Sequence, residues 1–162
     1  MQPVFVDTFY WVALLNPDDP DHDRVTAFDV APERPPLVTT EEVLAEFLTY
    51  FSGMGTLFRR KAAAVAFALR DDSDVRLLPQ TSTSFVAGLQ LYAERLDKEY
   101  SLTDCISLAT MKAEGMTESA TGDRHFEQEG FQGFVSSFLA GDWKGRAVKP
   151  DSIKDIAGPW SP

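Results

Sequence analysis

The chain has 162 residues, a formal net charge of −10, 44% hydrophobic residues and 25% charged residues. That length suits one domain around one sizeable core, and that composition excludes a disordered or fibrous chain. The acidic balance excludes broad non-specific attachment to nucleic acid, which lysine and arginine drive. Part of the excess sits in one run, Asp18, Asp19, Asp21 and Asp23, which reads as a solvated loop. Cys105 is the single cysteine, so neither an intrachain disulfide nor a cysteine zinc cage can form. Its apolar neighbours Ile106 and Leu108 make it a small buried hydrophobe. MQPVFVDTFYWVALL lacks the positive leader and cleavage site of a signal peptide. No stretch approaches the ~18 apolar residues of a membrane span, so a soluble cytoplasmic protein is expected.

In chain order, residues 3–7 (PVFVD) read as a short buried strand and Thr8–Leu15 as a helix. NPDDPDHD is a loop, a short helix is expected over 21–30, and Pro32, Pro35 and Pro36 force another loop. Leu37–Val38 begins a second strand that runs into TTEEVLAEFLTYF. There Thr39 and Glu42 fit a capping box, and Val43, Leu44, Phe47, Leu48 and Phe51 recur at helical spacing. Gly53 and Gly55 end that helix, and the alanine-rich TLFRRKAAAVAFALRDD forms the next, to about Asp71.

VRLLP (75–79) reads as a third strand, followed by an amphipathic helix over 81–97 with Phe85, Leu89, Tyr92 and Leu96 on one stripe. These aromatic stripes suit the core or a subunit interface. SLTDCISLATMKAEG is a helix opened by Ser101 and closed by Gly115. MTESAT is a fourth strand and DRHFEQEG a short helical turn. A fifth strand is blurred in FQGFVSSFL, which is equally compatible with helix. The polar, proline-bearing 141–162 reads as a tail appended to a domain over 1–140. Strands separated by helices require parallel pairing, so a three-layer α/β/α fold with a central parallel sheet of four or five strands is expected.

In such a sheet, ligands sit beyond the carboxyl ends of the strands. Asp7 ends the first strand, and Asp123 follows the fourth. Glu46 lies on the margin of an apolar helical stripe, and Asp104 in the first turn of its helix. These carboxylates can meet at one place. Taken singly, each also has a structural reading: Asp7 and Asp123 as helix caps, Asp104 as the partner of Ser101 in a capping box, Glu46 as a surface residue beside Glu42.

Taken together, VDT (6–8), TTEEVLAEFL (39–48), SLTD (101–104) and TGDRHF (121–126) resemble, in order, the motif blocks of PIN domains, nearest to VapC-type toxins of bacterial toxin–antitoxin pairs. The similarity spans roughly residues 3–135. It implies that Asp7, Glu46, Asp104 and Asp123 bind metal for RNA cleavage, with Thr8 and Thr121 as supporting hydroxyls. It further implies a homodimer and a cognate antitoxin reaching into the acidic cleft. Gly122 departs from the family pattern, where a polar residue is frequent, and the tail has no obvious counterpart.

Electrostatics points the same way: two carboxylates 4 Å apart repel by about 4 kcal/mol at an effective dielectric near 20, so an acidic cluster needs a cation. Oxygen-only ligands suit Mg²⁺ or Mn²⁺ rather than zinc. For substrate contact, Arg59, Arg60 and Lys61 form the compact basic cluster, and Arg124 adjoins an expected ligand; a solvated helix face is the competing reading of the cluster.

Other enzyme classes lack their signatures. His125 and His22 accompany no nucleophile motif, GxSxG is absent, and so is GxxxxGK[ST]. An Asp7-nucleophile phosphatase would want an acid at position 9, where Phe9 stands. The remaining alternatives are a non-catalytic PIN-like interaction module and a PIN nuclease outside toxin–antitoxin systems.

Overall fold

The computed structural model describes residues 2–121 and 124–133. Its elements run β1 (Val4–Val6), α1 (Thr8–Leu15), α2 (His22–Asp29), β2 (Leu37–Thr40), α3 (Glu41–Tyr50), a 3-10 turn (Phe51–Gly53), α4 (Thr56–Asp71), β3 (Val75–Leu78), α5 (Ser82–Glu94), α6 (Leu102–Ala113), β4 (Glu118–Ala120), α7 (Arg124–Gln128) and β5 (Gln132–Gly133). The strands form one sheet ordered β3-β2-β1-β4-β5, and every pair is parallel. The expected parallel α/β architecture is therefore present, with five strands.

The connections run one way from β1 through β2 to β3, then cross back to β4 and on to β5. Right-handed crossovers consequently put α1–α4 on one face and α5–α7 on the other. The direction reverses between β1 and β4, and a crevice opens there beyond the strand ends. β1 is buried along its length, as a central strand covered on both faces must be. Phe5 from β1 stacks on the buried Phe126 of α7, with ring centroids 6.3 Å apart.

Three expectations change. The cap of α3 is Thr40, whose hydroxyl accepts from Val43 N at 3.2 Å, and not a Thr39–Glu42 box. Strand β2 extends through Thr40, so Thr39 stays in the sheet and its hydroxyl turns inward to the Val6 carbonyl. The helix expected over 81–97 stops at Glu94, and the Phe85, Leu89, Tyr92 and Leu96 stripe faces outward, so of its two readings, core or subunit interface, the core one falls. Gly88 explains the inversion: a Cβ there would stand 2.2 Å from Ile106 Cγ1, so α5 turns its glycine inward to let α6 approach closely. The blurred last strand is present at Gln132–Gly133, the last of the described residues. The tail assigned to 141–162 lies outside the described residues.

Candidate active site

Asp7 leaves β1 in extended conformation and caps α1, its Oδ1 accepting from Tyr10 N at 3.4 Å. Its other oxygen accepts the Thr121 hydroxyl at 2.5 Å, which ties the end of β1 to the residue just beyond β4. Both side chains are buried, Asp7 being 7% exposed. The helix-cap reading of Asp7 is thus correct as far as it goes. It leaves the carboxylate at the crevice, where the amino end of α1 favours negative charge.

Glu46 lies in the second half of α3 and is half-buried, so the purely superficial reading fails. The Thr8 hydroxyl donates to its Oε2. Asp104 forms the expected capping box of α6: its Oδ2 accepts from Ser101 N at 2.8 Å, and its own N–H donates to Ser101 Oγ at 3.1 Å. Here too a helix cap stands at the cleft.

Asp7, Glu46 and Asp104 line one cleft of about 270 Å³ together with Thr8, Phe9, Val43, Ser101, Thr103 and Ser107. One acid comes from a strand end, one from α3 and one from α6. Asp123 falls outside the described residues, as do the side chains of Arg124 and His125. Thr121, expected as a supporting hydroxyl, donates to Asp7 Oδ2. Arg59, Arg60 and Lys61 occupy the first turns of α4 and are not among the lining residues; Arg59 instead donates to Ser52 O at 3.1 Å. Sequence reasoning missed Thr103 and Ser107 as wall residues. Ser107 stands one turn after Asp104 on α6, so helical spacing alone could have nominated it.

Among the described residues, no three acid, histidine or cysteine side chains converge on a single ion-sized point. The cleft therefore offers carboxylate walls rather than a closed cage within those residues. Its donors are all oxygen, from carboxylates and hydroxyls, a set that fits a hard divalent cation such as Mg²⁺ or Mn²⁺. Cys105, one residue from Asp104, is no competing nucleophile: burial pushes its thiol pKa up, and the neighbouring Asp104 and Glu129 charges add to the rise.

Comparison with known proteins agrees with this geometry. A PIN domain model matches residues 4–131. The 23S rRNA-specific endonuclease VapC20 of Mycobacterium tuberculosis, from strain CDC 1551 and from strain H37Rv, is 31% identical over 129 residues, covering 79% of this chain and 95% of the relative. The crystal structure of M. tuberculosis VapC20, described as a Sarcin-Ricin loop cleaving toxin, superposes with a TM-score of 0.71 at 28% identity, covering 80% of this chain and 96% of that one.

Proposed function

The chain belongs to the PIN-domain family, and on that premise we propose that it is a metal-dependent endoribonuclease, the toxin of a VapBC-type pair silenced by a cognate antitoxin. The observation that carries the proposal is the convergence of Asp7, Glu46 and Asp104 on one cleft at the sheet's reversal point. Asp123, two residues beyond Thr121, is assigned as the fourth acid on the motif TGDRHF.

In this reading Asp7, Glu46, Asp104 and Asp123 hold Mg²⁺ or Mn²⁺. Such an ion, when bound, supplies charge to the scissile phosphodiester and lowers the pKa of an attacking water. The chain's own residues fix where that happens. Thr121 orients the Asp7 carboxylate, Thr8 orients Glu46, and Ser101 orients Asp104, so three ligands are set before any ion arrives. The walls of Phe9 and Val43 limit water beside the acids. Ribosomal RNA is the first substrate to test, since the VapC20 relative acts on 23S rRNA.

The net charge of −10 suits a basic antitoxin segment as well as it suits an RNA loop. RNA phosphates would need local cations, and the exposed Arg59 and Arg60 with Lys61, together with Arg124 by its place in the sequence, are the candidates. The nuclease domain is proposed over 1–140, with 141–162 appended; the family match spans 4–131 of it. No helix among the described residues is long and apolar enough to cross a membrane, in keeping with the cytoplasmic location proposed here.

A homodimer is part of the proposal. The outward face of α5 carries Phe85, Val86, Leu89 and Tyr92, each 42–50% exposed, and Glu94 is the helix's only charged residue. Two strongly acidic copies meet at least cost through an uncharged apolar face. Light scattering should give twice the chain mass, falling to one chain mass in Leu89→Lys; a monomeric wild type would remove this part.

The decisive assay is cleavage of total cellular RNA by purified, antitoxin-free protein with Mg²⁺, Mn²⁺ or EDTA, beside Asp7→Asn and Asp104→Asn. Discrete products that need the ion and vanish in both variants are expected. A folded wild type that binds no divalent ion would sink the carboxylate site.

A further inference from the structure

The Asp7 carboxylate is held at its tip by Thr121, but the backbone beneath it is held by residues that do not touch the cleft. Val6 is the last residue of β1, and its carbonyl accepts the Thr39 hydroxyl at 2.9 Å. Thr39 Oγ1 in turn accepts the Trp11 indole N–H at 3.3 Å. An indole N–H can only donate, and a threonine hydroxyl has one proton to give. The relay therefore has one direction, from Trp11 through Thr39 to Val6.

Both side chains are sealed from solvent, Thr39 at 0% and Trp11 at 1% exposure, so water cannot substitute for either bond. The Val6 carbonyl belongs to the peptide plane that ends on Asp7 N. Locking that plane sets the direction from which the Asp7 side chain departs. Trp11 stands one helical turn after Asp7 on the helix that Asp7 caps, which closes a loop through β1, α1 and β2. Threonine at 39 is explained by this duty, because the adjacent Thr40 already supplies the helix cap.

We propose that Thr39 and Trp11 are positioning residues for Asp7, holding its carboxylate in the cleft through the Val6 carbonyl. The inference rests on the metal-nuclease reading of that cleft. It assigns catalytic consequence to two core residues that would otherwise count only as packing.

The test uses the full chain, with Mn²⁺ affinity by calorimetry and RNA cleavage at Mn²⁺ saturating for each variant. Thr39→Val keeps the shape and deletes both bonds; it should bind Mn²⁺ about tenfold more weakly and lose kcat by a similar factor, with KM little changed. Thr39→Ser, which retains the hydroxyl, should stay within about threefold of wild type. Trp11→Phe should shift Mn²⁺ affinity in the same direction by less.

A folded Thr39→Val with wild-type Mn²⁺ affinity and kcat, altered only in Tm, would overturn the proposal. If Thr39→Val does not fold, Trp11→Phe decides: weakened Mn²⁺ binding upholds the relay and unchanged binding refutes it. Wild type that fails to bind Mn²⁺, or Asp7→Asn that binds it equally well, refutes the nuclease site itself and the relay with it.

Discussion

Two buried aspartates flank helix α1, and the protein treats them in opposite ways. Asp29 at the end of α2 is closed in: its Oδ1 accepts the Tyr10 hydroxyl at 2.7 Å, and Arg34 Nε lies 3.8 Å away. Asp7 at the start of α1 is left facing a cleft it shares with Glu46 and Asp104. A cation and a phenol meet one carboxylate; the other accepts the Thr121 hydroxyl and shares its cleft with two further acids. Acids that line one cleft cost stability unless other groups offset their charge. On the metal-nuclease proposal, the difference is between a carboxylate closed into the fold and one kept open to a ligand.

The sharpest way to break this comparison is to neutralise each aspartate in turn. Asp7→Asn should cut cleavage on the order of 10³-fold, about 4 kcal/mol of barrier, with little change in Tm, because asparagine caps a helix about as well as aspartate. Asp29→Ala should do the reverse. It strands the Tyr10 hydroxyl and the Arg34 guanidinium, at about 3 kcal/mol, or roughly 6–12 °C in Tm for a chain of this size. Activity of the folded fraction should be unchanged. Parallel melting curves and RNA-cleavage rates on the two variants check both halves, and equal Tm losses would collapse the distinction.

The cleft half of the comparison was more legible in the sequence than the Asp29 half. Asp7 at the end of an apolar run, and Asp104 three residues after Ser101, carry signals within a few residues of themselves, and the structure places both as expected. Asp29 gives no such signal, because its partner Tyr10 lies 19 residues away and reaches it only through the packing of α1 on α2. Thr39 and Thr40 are neighbours of the same type; which one caps depends on which face of β2 is buried, a tertiary fact. The α5 stripe shows the same limit. Periodicity identified Phe85, Leu89 and Tyr92 as one face, but only the closeness of Gly88 to Ile106 decided that the face looks outward.

That close approach supplies a third test, on the position of an acid rather than its charge. A methyl at residue 88 would also sit 3.0 Å from the Ile106 backbone, so the α5–α6 contact must open. Gly88→Ala should cost about 2 kcal/mol, roughly 4–8 °C in Tm. Because α6 carries Asp104, cleavage by the folded protein should fall as well, by about tenfold. Loss of Tm with full activity would show that the cleft tolerates movement of α6, and would place Asp104 closer to Asp29 in kind.

The smallest effect is a pH dependence confined to the closed-in aspartate. Burial raises the Asp29 pKa above the ordinary 3.8; the Tyr10 hydrogen bond and Arg34 oppose the rise, and Asp72 adds to it. A carboxyl held high in the folded state binds its proton more tightly there than in the unfolded chain. Its contribution is therefore fully present below the unfolded pKa and is lost as pH rises through the folded one. Asp29→Asn has no proton to lose, yet keeps an acceptor for Tyr10. Relative to wild type, that variant should gain stability as pH climbs from about 3.5 toward neutrality, by less than the loss in Asp29→Ala. Urea midpoints across that range measure the difference, in which the titration of every other acid largely cancels. A variant that loses ground with rising pH would mean that Arg34 outweighs burial, and that ionised Asp29 stabilises the fold as a true ion pair.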